Sequence, residues 1–341
     1  NEMAFGSYAS NKGGLYPNYA NTRPPAHEAK GVAIGNSIQP LETNGTVNPS
    51  TGKIGLLSIG MSNVTLEWGA SVSGTNHFTF LATNDPSLNP RVFIADGGIS
   101  GQDAVDWTNL VSSTNWAHVA TNRLPAANLT TNQVQVIWMK QAIQFAGTNG
   151  PFPVHAQMLR TMTEQIVRNA KVMFPNLKIM YLASRTRAYT NADPSAPNPE
   201  PYAFESGFSV RWVLEDQIKV TNNLNYNPTS GPVVAPWLSW GPYLWADGIV
   251  PRGDGFIWEC SDVAGDVTHE LAAEPRCRPP ARRHHGQREH DGRQLEAEDQ
   301  ADDRPVDRDQ QAIEGIAPFR NDSAAHEDRH QRRHQGDRQH R

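Results

Sequence analysis

Four short apolar runs recur in the first two thirds of the chain, and each of them ends in glycine or polar residues. They cover residues 53–63, 90–101, 134–142 and 177–185. Runs of this length without polar alternation are typical of strands that are buried on both faces of a parallel sheet. The pattern therefore predicts at least four buried strands, each followed by a turn or loop.

Two segments between and after these runs have helical periodicity. Residues 155–174 carry apolar side chains three or four positions apart, and residues 206–218 form a second amphipathic segment. Strands that alternate with helices indicate βαβ units, in which functional loops lie at the carboxyl ends of the strands. We therefore predict a three-layer α/β/α sandwich with a parallel sheet, flavodoxin-like in general plan.

The rest of the chain divides by composition. Residues 1–50 are rich in Gly, Pro and Asn and predict an extended N-terminal arm, and residues 51–269 hold the α/β domain. Within that domain, the aromatic stretch 235–262 is expected to be an irregular cover over the sheet. Beyond position 269 the only aromatic residue is Phe319 and Lys is absent.

The tail 270–341 is highly charged and has no apolar stripe long enough to bury, so we expect it to be disordered. Its bias towards Arg, His, Gln, Ala and Pro is what a GC-rich gene gives when it is read out of phase. We interpret it as a frameshift product that begins near residues 266–275. The alternative is a natural tail that binds an anionic polymer or metal ions through its His and Arg side chains.

Charge and cysteine content narrow the classes of partner. The 341-residue chain has a formal net charge of -5, which gives no reason to expect nucleic-acid binding. No apolar run approaches the roughly 20 residues that a membrane span needs. Cys260 and Cys277 are too few for a disulfide framework. The first residue is Asn, so we expect a processed, secreted or extracytoplasmic protein whose signal peptide has been removed.

Ser62 is the first candidate for chemistry, because it lies just past the strand that is predicted within the run 53–63. A serine at the end of a parallel strand can present its hydroxyl to the crevice, and its backbone N–H can help to bind an oxyanion. Most serines in such places are turn residues or helix caps, and by itself the position favours that structural role.

Two further strand ends carry groups that could bind an oxyanion. Gly101 lies in the glycine-rich turn that closes the second run, where the absence of a side chain lets the backbone N–H approach a substrate oxygen. Gln141 lies at the end of the third run, and its carboxamide could supply another donor. An ordinary tight turn at Gly101, a polar residue leaving the sheet at Gln141, and a turn-capping role for Asp96 are the alternatives.

Asp266 and His269 form a D-x-x-H pair late in the domain. The carboxylate can hold one imidazole nitrogen while the other nitrogen faces the serine, which stabilises the imidazolium that forms when the serine is deprotonated. Such a pair is common by chance. A metal site is the alternative, but the domain has no second His or Cys at ligand spacing.

In this order the four pieces resemble the sequence blocks of the SGNH (GDSL-like) hydrolases. The segments "GKIGLLSIGMSN", "NPEPYAFESGFSVRW" and "APWLSWGPYLWADGIVPRGDGFIWECSD" are similar to a group of poorly characterised secreted bacterial proteins with that fold, and the similarity covers roughly residues 13–269. The resemblance implies Ser62 as nucleophile, Gly101 and Gln141 as oxyanion donors, and Asp266 and His269 as orienting acid and base. No cofactor is then required.

The chain departs from the family pattern at three places. "GMSN" replaces the usual G-D-S, the Gly-Asn-Asp block is absent so that Gln141 stands nearest its Asn, and Val267 replaces a glycine in the His loop. A β-branched residue disfavours the positive φ that such a loop can require.

The expected function is hydrolysis of carboxylic esters, with acetyl esters of a glycan preferred because Trp and Tyr are abundant near the site. Two alternatives stay open. One is a catalytically inactive secreted carbohydrate-binding or surface protein with the same fold, and the other is a structural component of a filament or envelope. The oligomeric state does not follow from the sequence.

Overall fold

The computed structural model describes residues 3, 6–69, 77–188, 197–221 and 223–258. Within them the strands are β1 (Ser7–Tyr8), β2 (Asn11–Lys12), β3 (Ile54–Gly60), β4 (Val92–Ala95), β5 (Val134–Lys140), β6 (Ile179–Ala183) and β7 (Trp237–Trp240). The helices are α1 (Pro25–Asn36), α2 (Ser62–Trp68), α3 (Phe78–Thr83), α4 (Ala104–Trp107), α5 (Thr114–His118), α6 (Leu124–Ala126), α7 (Val154–Met173) and α8 (Tyr202–Lys219). A π-helical turn, Val119–Arg123, joins α5 to α6.

Five of the strands form one parallel sheet in the order β4-β3-β5-β6-β7. When only these five strands are numbered in chain order, the order becomes 2-1-3-4-5, which is the flavodoxin-like order of a doubly wound sheet. All residues of β3, β5 and β6 are buried, as expected for strands covered on both faces. The predicted parallel α/β sandwich is confirmed, and the four predicted runs contain β3, β4, β5 and β6.

Alternate residues of the strands supply two separate apolar cores. On one face, Leu57, Ile137 and Met180 pack with residues of α7 and α8. On the other face, Leu56 and Trp138 belong to a smaller core that includes residues of α2. Two cores on opposite faces of one sheet make the three layers of the sandwich.

Helix α2, which begins at Ser62, is fixed to the sheet by aromatic stacking. The rings of Trp68 and Trp138 are nearly parallel, with centroids 5.3 Å apart, and Phe78 packs against Trp68 at 4.3 Å. Such contacts add about 0.5–1.5 kcal/mol each to the effect of burial. The C-terminal end of α2 is therefore packed against β5.

The fifth strand corrects the prediction of an irregular aromatic cover. Residues 237–240, within the stretch 235–262, form β7 and pair with β6 in parallel register. The strand is only four residues long, contains no β-branched residue, and lies one residue after Pro236. Its apolar run is therefore too short to be recognised by periodicity, and pairing with β6 determines its conformation.

The N-terminal segment 1–50, predicted as an extended arm, contains helix α1. This helix has no clear apolar stripe, which is why periodicity does not detect it. The helix instead packs its backbone closely against one aromatic ring. Gly31 lies so near Trp237 that a Cβ there would be 2.3 Å from the indole ring. His27 Nε2 lies 2.7 Å from the carbonyl oxygen of Leu238, and its ring stacks on Trp237.

The residues that precede α1 contact helix α8 and strand β7. Arg211 in α8 donates hydrogen bonds to the carbonyl oxygens of Lys12 and Gly13. The hydroxyl of Tyr16 lies 3.0 Å from Ser239 Oγ and accepts from the backbone N–H of Trp240 at 3.2 Å. These contacts hold the N-terminal segment against α8 and β7.

Among the described residues, no helix is both long enough and apolar enough to cross a bilayer. The expectations of no membrane span in the rest of the chain and of no nucleic-acid partner remain predictions.

Candidate functional site

The sheet order creates a crevice where the carboxyl ends of β3 and β5 meet. The strand order reverses there, because the chain goes from β3 to β4 on one side of this point and from β5 to β6 on the other side, while all the strands stay parallel. In doubly wound sheets, ligands bind at this switch point. Ser62 lies two residues after the end of β3, and Gln141 directly follows the last residue of β5. Two of the predicted site residues therefore lie at the point that the topology favours.

Ser62 is the first residue of α2 and its side chain is half-buried. Within the described part of the chain, its hydroxyl makes no hydrogen bond. Its backbone N–H also has no acceptor there, as expected for the first turn of a helix. Among the described residues, both polar groups of Ser62 are therefore unused. The serine does not act as a helix cap, since residue 61 occupies that position.

The loop after β4 is packed against the same end of α2. Ile99 N–H donates to the carbonyl oxygen of Gly60 at 2.9 Å. A Cβ on Gly98 would lie 2.5 Å from Thr65 Oγ1 and 2.9 Å from the Thr65 nitrogen. Thr65 is three positions after Ser62 and so shares its side of the helix. Ser62 is therefore on the side of α2 that faces the β4 loop.

Asp96 shapes this loop. Its Oδ1 accepts hydrogen bonds from Ser58 Oγ at 3.0 Å and from the N–H of Gly98 at 2.8 Å. Arg123 donates to the Gly98 carbonyl oxygen at 3.0 Å. The bond from the Gly98 N–H to Asp96 Oδ1 closes the turn that follows β4.

Gly101 lies two residues beyond Ile99, in an exposed turn. Its φ of +74° is in the left-handed region, where glycine is favoured, and a Cβ there would meet no atom within 4 Å. Its N–H has no backbone acceptor in the described part of the protein. The position combines an open approach with an unused donor, which is what an oxyanion donor needs.

The other side of α2 faces the end of β5. Lys140, the last residue of β5, is 1% exposed and forms a salt bridge with Glu67 of α2. Asn63 is four positions before Glu67 and so lies on this same side of the helix, one turn nearer its start. Sequence reasoning gave Asn63 no part in the site and missed the ion pair, because the proximity of these residues depends on the pairing of β3 with β5.

Two carboxamides at this place have no hydrogen-bond partner within the described structure. Asn63 is 7% exposed and Gln141 is 4% exposed, and neither the oxygen nor the nitrogen of either amide is bonded. An unpaired buried polar group costs about 1–3 kcal/mol, so each such group requires an explanation. A polar ligand at the switch point would satisfy them.

Asp266 and His269 lie outside the described residues, so their position relative to Ser62 stays a prediction. In the part of the chain that is described, no three His, Cys, Asp or Glu side chains are grouped so that they could hold a metal ion.

A buried imidazole and carboxylate lie at the beginning of α7 and α8, and the sequence analysis missed them. His155 Nε2 is 3.3 Å from Glu205 Oε2, and the Tyr8 hydroxyl donates to Glu205 Oε1. Burial lowers the pKa of His155 to about 4, so the ring is neutral at pH 7. Burial raises the pKa of Glu205. This imidazole does not bond to the Ser62 hydroxyl, whose hydrogen bonds are absent among the described residues.

The solved structures that are similar to this chain include TesA and a GDSL-like lipase. TesA is 14% identical, covers 46% of this chain and 69% of its own chain, and has a TM-score of 0.28. A predicted GDSL-like lipase from Parabacteroides merdae is 10% identical, covers 54% of this chain and 88% of its own, and has a TM-score of 0.32. Both scores are low, so neither superposition assigns a role to any residue of this chain. No protein-family model and no curated protein matches the chain.

Proposed function

We propose that this protein is a secreted serine esterase that hydrolyses carboxylic esters, with acetyl esters of a glycan as the preferred class. One observation carries the proposal: Ser62 lies at the switch point with a hydroxyl and a backbone N–H that are both unused within the described structure. The resemblance of the sequence blocks to SGNH hydrolases supports the same assignment.

In the first half of the reaction, the Ser62 oxygen attacks the ester carbonyl and its proton passes to His269, which Asp266 orients. The carbonyl oxygen becomes an oxyanion that accepts hydrogen bonds from the N–H groups of Ser62 and Gly101 and from the Gln141 carboxamide. Collapse of the intermediate breaks the bond to the alcohol, which leaves with the proton from the imidazolium.

In the second half, water attacks the acyl-enzyme and gives its proton to His269. The acid leaves, and Ser62 recovers its proton from the imidazolium. No oxidant, reductant or further reactant is needed for either half.

The alternative is a carbohydrate-binding protein that keeps the fold without the chemistry. Val267 in the predicted histidine loop favours it, because a β-branched residue disfavours a positive φ there. In that case the crevice would bind a glycan, and replacement of Ser62 would not change ester hydrolysis.

The test is hydrolysis of p-nitrophenyl acetate by the full chain. Ser62→Ala is expected to reduce kcat by about 1,000-fold or more, and His269→Ala by a similar factor. Ser112→Ala, at an exposed serine outside the crevice, is the matched control and should retain wild-type rates. Phenylmethylsulfonyl fluoride should label Ser62, as detected by mass spectrometry of the peptide. Equal rates for the wild type and Ser62→Ala would refute the esterase assignment.

A further inference from the structure

Asn63 is a buried polar residue at the crevice that the proposed reaction does not use. Its amide oxygen and nitrogen are both buried, and neither has a hydrogen-bond partner among the described residues. It does not stabilise the fold through that amide, since an unpaired buried carboxamide is a cost of about 1–3 kcal/mol. A buried group of this kind is accounted for when a ligand or an ordered water bonds to it.

The position of Asn63 relative to the nucleophile narrows the choice of ligand. Asn63 directly follows Ser62 and lies on the side of α2 that carries Glu67, whose carboxylate is bonded to Lys140. Gln141 follows Lys140, so the two unpaired carboxamides occupy the β5 side of the crevice. The β4 loop, which carries Gly101, lies against the Ser62 side of α2, and its later part reaches the segment after β5, where the N–H of Ala104 donates to the carbonyl oxygen of Ala142 at 2.9 Å.

We propose that Asn63 binds a hydroxyl group of the substrate's alcohol portion, next to the ester, and that the substrate is therefore a partly acylated polyhydroxylated alcohol such as a sugar. This inference rests on the proposed esterase function. An acetyl group has no hydrogen-bonding atom beyond its carbonyl oxygen, which the oxyanion donors hold. The partner of Asn63 must then come from the alcohol, where a vicinal hydroxyl of a sugar can both donate and accept.

The chemistry of the amide also predicts what the site discriminates against. A simple aryl or alkyl alcohol has no second hydroxyl beside the esterified oxygen, so Asn63 would contribute nothing to the binding of its ester. Sites built to hydrogen-bond a substrate hydroxyl discriminate strongly against analogues that lack it. Replacement of Asn63 should therefore affect sugar esters and spare simple esters.

The experiment compares Asn63→Leu with the wild type on two esters, p-nitrophenyl acetate and a monoacetylated methyl glucoside that keeps its other hydroxyls free. We expect kcat/KM for the glucoside ester to fall about tenfold or more, as for the loss of a hydrogen bond worth about 1.4 kcal/mol, and kcat/KM for the aryl ester to change less than threefold. An equal loss on both esters, or no loss on the glucoside ester, would overturn the inference. No loss on the glucoside ester is also the expected result if only water bonds to the Asn63 amide.

Thermal stability distinguishes a ligand-binding role of Asn63 from a structural role. Asn169 is also a buried asparagine, but its amide nitrogen donates to the carbonyl oxygens of Trp107 and Thr108. Asn169→Leu should lower the Tm, whereas Asn63→Leu should leave it unchanged or raise it. A fall in Tm for Asn63→Leu as large as that for Asn169→Leu would show that Asn63 is a structural residue and would contradict the proposal.

Binding to a protein without its nucleophile separates this inference from the esterase assignment. The monoacetylated methyl glucoside should raise the Tm of Ser62→Ala and should not raise that of the Ser62→Ala, Asn63→Leu double variant. If the wild type shows no hydrolysis that depends on Ser62, the esterase proposal fails and this binding difference alone decides the role of Asn63. Equal shifts in the two proteins would overturn it.

Discussion

Lys140 and Glu67 form a salt bridge that joins the last residue of β5 to the helix that begins with Ser62. The ammonium group is buried, whereas about a third of the Glu67 side chain is exposed. The pair connects two neighbouring strand ends through side chains, since Gly60 of β3 leads into the same helix. Because the two side chains are buried to different extents, we expect their replacement to change the free energy of unfolding by different amounts.

Glu67→Gln should destabilise the protein more than Lys140→Met does. Removal of the carboxylate leaves a buried ammonium group without this counter-charge, with an expected cost of about 2 kcal/mol or more. Removal of the ammonium leaves a carboxylate that water can reach, and methionine fills most of the same volume. Urea denaturation of both variants at pH 7 measures the difference. The opposite order would show that the carboxylate, not the ammonium, carries the desolvation cost.

Gly98→Ala should destabilise the protein more than Gly101→Ala. A methyl group at Gly98 would lie 2.5–2.9 Å from Thr65, including its backbone nitrogen, so α2 and the β4 loop must move apart at a cost of about 1–3 kcal/mol. At Gly101 the added Cβ meets nothing within 4 Å, and only its φ of +74° opposes the substitution, at about 1 kcal/mol. Chemical denaturation gives both values. A larger loss of stability for Gly101→Ala than for Gly98→Ala would mean that α2 and the β4 loop are not in close contact.

The pH dependence of stability should change when His155 is replaced. The pKa of His155 falls from 6.5 to about 4 on folding because the ring is buried. Between these pH values the unfolded chain binds a proton that the folded protein does not bind. The free energy of unfolding should therefore decrease by about 1.4 kcal/mol for each pH unit as the pH falls from about 6.5 towards 4.

His155→Phe and His155→Gln should both lose this contribution, whatever their stability at pH 7. The measured quantity is the difference in unfolding free energy between wild type and variant at several pH values. Glu205 has a raised pKa and acts in the opposite direction, so the wild-type curve alone is not a test. A difference that is independent of pH between 4 and 6.5 would show that the buried ring is protonated in the folded protein.

Much of the fold follows from local sequence patterns. The apolar runs that contain β3, β5 and β6 and the amphipathic pattern of α7 are recognisable because burial on two faces or on one face imposes a characteristic periodicity. Helix α1 and strand β7 were not recognised. Gly31 and Trp237 show why: α1 is held by the close approach of a glycine to one ring from a distant part of the chain, and such a contact has no periodic signature.

The candidate site divides in the same way. Ser62 and Gln141 can be named from sequence, because each ends an apolar run and strand ends carry function in α/β proteins. The unpaired amide of Asn63 and the salt bridge between Lys140 and Glu67 could not be anticipated, since each depends on which strands are neighbours.

By itself, the sequence determines which segments are buried strands and which residues follow them, because hydrophobic burial acts on each segment through its own pattern of side chains. Only folding determines that β3 and β5 are adjacent and that the crevice opens between them. Strand order depends on pairing between segments about 80 positions apart, as with Gly55 and Val134, and no local pattern encodes that choice.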